Sequence, residues 1–273
     1  MNCILNKKIT LLITALTANA ILQAQALREV PYTSELTQFI NSYFNHKIES
    51  QDELEKLFIE AMDSAAKLDS DYSKTVHQGR CIYYYGMQLM EDYDISEMSN
   101  KNLEDTSETK NSNQKAADCF DSAIELGKKA MKIKKGSDAC SLIAGGISAN
   151  CTAKNTSYIL NNGLKVGKYA KKAFTLDETN GTAYFLNTCQ SVYAPVPFCK
   201  IREGRSQMLN YLENEHINKE QFDRFNFLYS IAYSHYRKKE YNEALYWFEK
   251  AKQIYPDNLA VNRTINKILA DNN

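Results

Sequence analysis

Residues 225–258 read FNFLYSIAYSHYRKKEYNEALYWFEKAKQIYPDN. Apolar and small side chains recur through Leu228, Ile231, Ala232 and His235, at the three- and four-residue steps that share one face of a helix. The polar run RKKE (237–240) interrupts the pattern, and Tyr241, Ala244, Leu245, Phe248 and Ala251 form a second stripe. Pro256-Asp257-Asn258 closes the unit, because proline has no N–H to give and its ring clashes with the preceding helical turn. Two helices of about a dozen residues joined by a short turn make a helical hairpin. Ala232, Ala244 and Ala251 let the two helices approach closely, and Tyr241 and Phe248 fill the space between them.

Weaker copies of the second helix and its exit lie upstream, at EAMDSAAKLDSD (60–71), IELGKKAMKIKKGSDA (124–139) and VGKYAKKAFTLDETN (166–180). Each has an alanine, an apolar residue three further on, and then a polar break: Ala65/Leu68, Ala130/Ile133 and Ala173/Leu176. First-helix patterns accompany them at GRCIYYYGMQLMEDY (79–93), SDACSLIAGGISANC (137–151) and TAYFLNTCQSVYA (182–194). Together these predict about four to five stacked hairpins, enough to bury a shared core. The final segment LAVNRTINKILADNN (259–273) is amphipathic through Leu259, Val261, Ile265, Ile268 and Leu269, and is expected to cap the array. Two stretches interrupt it. Residues 91–114 are polar and low in complexity, which predicts a mobile loop. Residues 193–205, YAPVPFCKIREGR, break helix twice, at Pro195 and Pro197.

The unit from Leu228 to Pro256 resembles the tetratricopeptide repeat, with its small residue, aromatic, Ala-x-x-x-Phe-x-x-Ala and terminal Pro. His235 departs from it, standing where an aromatic is usual. The resemblance implies an all-α, right-handed superhelix of degenerate hairpins with a C-terminal capping helix. The run from Gly163 to Ala183 and the Tyr-Ala-Pro stretch at 193–195 resemble a subfamily of exported bacterial tetratricopeptide proteins. In that subfamily a Tyr-Ala-Pro-x-x-Gly-Gly type loop separates the helices of one repeat; here Cys199 and Lys200 replace the double glycine. The subfamily includes proteins similar to the periplasmic partner of TRAP transporters, which depend on a solute-binding protein.

The N-terminus carries a different signal. Lys7 and Lys8 precede the apolar stretch ITLLITALTANAIL (9–22), and Ala24-Gln25-Ala26 offers the small residues a signal peptidase reads. The expectation is a signal peptide over 1–26, a mature chain from Leu27, a repeat domain over 27–258, and a periplasmic or secreted location. No later stretch approaches the roughly 20 apolar residues of a membrane helix. Outside the signal lie six cysteines, Cys81, Cys119, Cys140, Cys151, Cys189 and Cys199. They read either as small buried hydrophobes or as disulfides. Cys140 with Cys151 and Cys189 with Cys199 are the local candidate pairs.

The formal net charge is zero, which argues against nucleic acid, whose binding needs excess cations to release counterions from phosphates. The histidines, His46, His77, His216 and His235, are scattered and none has ligand spacing to another His or Cys. No nucleophile elbow or glycine-rich phosphate loop occurs, so neither catalytic residue, metal nor cofactor is expected. A ligand groove is expected instead. Asn226, Tyr229, Tyr233, Tyr236 and Arg237 follow one side of the first helix of the clearest repeat, and the resemblance places these positions on the concave, peptide-contacting surface. Rings with an Asn and an Arg can grip an extended backbone or a carboxylate; the alternative is that the tyrosines pack on a neighbouring element. The earlier helix would present Tyr83, Met87 and Met90 in the same way. The expected function is a non-enzymatic scaffold binding a protein segment or ligand. Two competitors stand beside it: an accessory of a solute transport system, partnered by a solute-binding protein, and a hydrolase or lyase on a helical scaffold.

Overall fold

The computed structural model describes residues 29–99, 107–194, 199–217 and 219–271, the side chains of 92–99 and 107–112 excepted. Among the described residues all regular structure is helical. The first pair is α1 (Ser34–Phe44) and α2 (Gln51–Asp63), and the second is α3 (Asp71–Ser99) and α4 (Ser107–Ile133). Then come α5 (Ser137–Ala153) with α6 (Thr156–Leu176), α7 (Gly181–Tyr193) with α8 (Ile201–Glu213), and α9 (Gln221–Arg237) with α10 (Tyr241–Lys252). A single helix, α11 (Leu259–Asp271), follows.

Local chemistry sets where these helices begin. Thr33, Ser50, Asn155 and Asn180 accept a hydrogen bond from the amide three residues on and so start α1, α2, α6 and α7. Gly136, before α5, has no side chain to do this; the carboxylate of Glu29 accepts from Asp138 N at 3.1 Å instead. Asparagine, threonine and serine placed between apolar stripes thus start four of these helices.

Each helix packs on its successor, and close approach depends on small residues. At Gly146 of α5 a Cβ would lie 2.7 Å from Ile124 Cγ1 and 3.2 Å from the Phe120 carbonyl oxygen of α4. Ala244 and Ala251 are fully buried between α9 and α10 beside Phe248, as expected. In α11 Val261, Ile265 and Ile268 are buried, whereas Leu269 is 49% exposed.

The first helices also touch in sequence, α1 on α3, α3 on α5, α5 on α7 and α7 on α9, and α9 returns to α1. The array thus closes into a ring. Tyr255 Oη donates to Asn41 Oδ1 at 2.6 Å and Asn258 Nδ2 to the Phe44 carbonyl at 2.8 Å. The Phe44 ring stacks on Tyr255 at 5.3 Å and meets Phe225 edge-on at 5.3 Å. These residues belong to the largest apolar cluster, which joins α1–α4 to α9–α11.

Three expectations need restating. The stretch 91–114, expected as a loop, is helical at both ends: α3 runs to Ser99 and α4 begins at Ser107. The expected signal segment 1–26 and the two prolines Pro195 and Pro197 lie outside the described residues. The six cysteines are all free. Cys140 and Cys151 share helix α5, whose rise of 1.5 Å per residue separates them by roughly 16 Å, far beyond a disulfide's reach. Cys189 and Cys199 are unbridged as well.

Candidate functional site

Among the described residues, α3, α5, α7 and α9 line one partly open cavity, and α1, α3, α4, α5 and α11 line a second beside it. The smaller, about 100 Å³, lies among Tyr83 and Tyr84 of α3, Gly145 of α5, Phe185 of α7 and Asn226 of α9, with Tyr32 as one wall. The larger, about 360 Å³, is lined by Tyr43, Met87, Met90, Phe120 and Arg263. Tyr83 lines both, and burial pushes its hydroxyl up to about 12, so it stays protonated and able to donate. The expected inward face of Tyr83, Met87 and Met90 therefore borders a real space. Rings and flexible thioethers are adaptable apolar walls for a ligand.

Beside the smaller cavity sits a buried polar network. Arg80 Nη2 lies 2.6 Å from Asp138 Oδ1, and both side chains are almost fully buried. Asn180 Nδ2 donates to the same Oδ1 at 2.8 Å. Oδ2 accepts from Val30 N at 2.9 Å, and Arg80 Nη1 donates to Val30 O at 2.9 Å. The guanidinium lies 4.2 Å above the Tyr32 ring. A buried charge pair is tolerated only when its remaining donors and acceptors are satisfied, and here backbone, amide and ring supply them. Across the cavity, Asp223 Oδ1 accepts from Thr182 Oγ1 at 2.9 Å.

The five residues expected to form a groove on α9 divide. Asn226 faces the smaller cavity. Tyr229, Tyr233 and Tyr236 come together as a ladder with ring centroids 6.3 Å and 6.2 Å apart. Each is also packed: Tyr233 stacks on Tyr193 at 5.3 Å, Tyr229 meets Phe248 at 5.5 Å, and Tyr236 meets Tyr241 at 6.1 Å. Burial raises the pKa of the Tyr229 hydroxyl. Arg237 Nη1 donates to the carbonyls of Val192 and Ala194 at the end of α7. Four of the five thus hold α9 to α7 and α10. Arg80, Asp138 and Tyr32 were missed in the sequence; the available signal was a charge among apolar neighbours, Arg80 between Val76 and Tyr84, and Asp138 before Ala139 and Cys140.

Two arrangements bear on chemistry. His77 Nε2 lies 2.8 Å from Ala61 O and 3.1 Å from Ser64 Oγ. The carbonyl can only accept, so Nε2 carries the proton and cannot take one from Ser64; this is not an activated nucleophile. Among the described residues no group of three or more His, Cys, Asp or Glu side chains is gathered to hold a metal.

Residues 225–258 match the tetratricopeptide repeat family. The α9–α10 hairpin is of the tetratricopeptide type. In that hairpin Ala232, Ala244, Phe248 and Ala251 supply the buried contacts. Lys239 takes a left-handed conformation, φ 60°, at the turn of the same repeat. Among solved structures the chain is similar to the crystal structure of YrrB, a TPR protein with an unusual peptide-binding site, at 17% identity over 86% of this chain and 98% of that one, with a TM-score of 0.34. No curated protein matches.

Proposed function

We propose that this chain is a non-enzymatic scaffold that binds an extended protein segment on the inner face of its helical ring. One observation carries the reading: a cavity lined by the first helices α3, α5, α7 and α9 lies beside a second one between α1, α3, α4, α5 and α11, with Tyr83 in the wall of both. Apolar walls with few convergent polar groups are the usual composition of a binding site. Neighbouring cavities suit a ligand that presents successive side chains, as an extended segment does. The tetratricopeptide repeat at 225–258 supports a role in protein interaction. We place the working protein outside the cytoplasm, after cleavage behind Ala26, on the strength of the N-terminal pattern.

The test is to pan a random peptide library against the protein and repeat it with Met87→Glu, which puts a charge into the larger cavity. Enrichment of peptides whose binding falls at least tenfold in the variant supports the reading. No enrichment, or binding indifferent to the change, removes it.

A second reading, an accessory that hands a small solute to a transport system with a solute-binding protein as partner, is favoured by the smaller cavity. Its 100 Å³ suits a few heavy atoms and not a polypeptide. Calorimetry with small organic acids and amines, unaffected by Met87→Glu, would favour this reading over the first.

A further inference from the structure

Residues 29–32 lie outside any helix against α3, α4, α5 and α9, and they are held as a bound peptide is held. The peptide groups of Val30 are recognised by side chains alone: its N–H donates to Asp138 and its carbonyl accepts from Arg80, each at 2.9 Å. Those two side chains are themselves paired at 2.6 Å, so one ion pair reads both polar backbone atoms of one residue. The Val30 side chain is fully buried among Tyr72, Val76, Ala130 and Ala139. The Glu29 carboxylate accepts from Tyr72 Oη at 2.9 Å and from Asp138 N at 3.1 Å, and lies 2.9 Å from Lys134 Nζ. It therefore sits where the start of α5 favours an anion. The Tyr32 ring fits against Phe222 at 5.0 Å and beneath the Arg80 guanidinium at 4.2 Å.

The gripping residues belong to α3, to α5 and to the turn that joins α4 to α5, and these helices pack on one another directly. The Asp138–Arg80 pair is further fixed by Asn180 from the edge of α7. The site is thus assembled by helices whose mutual contacts do not run through its occupant. We propose that Tyr72, Arg80, Lys134 and Asp138 form a peptide-binding site that residues 29–32 fill from within the chain. A partner segment bearing a carboxylate followed by an aliphatic residue fills it from outside by displacing them. The proposal rests on the scaffold reading above and names its ligand class. The tethered segment competes at an effective concentration on the order of millimolar, so the intact chain is self-occupied and binds such a partner weakly.

The test uses the full chain and a fluorescent peptide copying residues 27–32, Leu-Arg-Glu-Val-Pro-Tyr, read by anisotropy. Against the Glu29→Gln, Val30→Gly double variant the peptide is expected to bind at least tenfold more tightly than against the unaltered chain. A peptide with lysine in place of its glutamate should bind neither. Equal affinity for both proteins, or binding to neither, overturns the proposal. Should the double variant fail to fold, hydrogen exchange on the unaltered chain decides: the Val30 amide is expected to exchange at least tenfold faster than that of Ile143 in α5. Equal rates would mean the segment leaves only on global unfolding, and no partner could displace it. If library peptides bind and respond to Met87→Glu while this peptide fails, the scaffold reading stands and this site falls. If neither binds, both fall.

Discussion

Asp138 meets Arg80, Asn180 and Val30 in a space with almost no solvent, whereas the Glu35–Lys67 pair lies at the surface with the lysine 62% exposed. The two pairs look alike on paper and differ in consequence. Truncating one partner of a buried pair strands the other charge, so Asp138→Ala is expected to cost about 3–5 kcal/mol. Lys67→Ala should cost under about 1 kcal/mol. Urea titrations of both variants check this, and equal losses would remove the network from the centre of the fold. His77 adds a pH dependence. Burial, opposed by the Ala61 carbonyl and reinforced by the Arg80 charge, lowers its pKa below the ordinary 6.5, with Glu35 acting weakly the other way. The ring is therefore neutral in the folded protein. Its contribution is fully present above pH 6.5 and is lost as pH falls below that value, because the unfolded chain takes up the proton first. His235 shifts in the same direction, through burial first and the Arg205 charge second. Stability measured down from pH 7 should fall, and His77→Gln should flatten part of that slope; an unchanged profile would contradict the assignment.

Adjacent glycines on α5 show how element packing decides sign. A Cβ at Gly145 would meet nothing nearer than Tyr83 at 3.6 Å, while one at Gly146 would press on Ile124 and on a backbone oxygen of α4. Gly145→Ala should stabilise by up to about 1 kcal/mol through helix propensity, and Gly146→Ala should destabilise by about 1–3 kcal/mol through overpacking. Thermal melts of the two variants are expected to shift in opposite directions. At this scale the sequence was informative where period and punctuation agree. The α9–α10 hairpin, with its alanines and terminal Pro256, could be read directly, and so could the inward set Tyr83, Met87 and Met90. The extents of α3 and α4 could not. Residues 91–114 are polar but contain neither Gly nor Pro, and a helix already nucleated against its neighbour elongates at little cost. Polarity was thus a poor guide to where these helices stop. The Arg80–Asp138 pair was hidden because its members lie on different helices, α3 and α5, with no local signature of meeting.

Closure separates this molecule from an open array of hairpins. In an open array each unit contacts only its neighbours, and stability is a sum along the chain whose ends fray. Here Phe44 of α1 is seated between Phe225 and Tyr255 from the far end. Unfolding should be a single transition, with Trp247 fluorescence and far-ultraviolet dichroism coinciding. Phe44→Ala is expected to cost about 2–4 kcal/mol and to split the two probes, because it cuts the junction; coincident curves after the change would mean that the ends are not coupled there. None of this was legible in the sequence, since partners 214 residues apart leave no periodic trace. The same separation orders assembly in time. A growing chain exposes α1 and residues 29–32 first, yet Val30 must wait for Asp138 and Phe44 must wait for Tyr255. Contacts of such high sequence separation form slowly, and until the last hairpin is made the apolar edge of α1 has nothing to rest on. Truncation before Tyr255 should therefore yield aggregates that trap chaperones, and not a shorter soluble array.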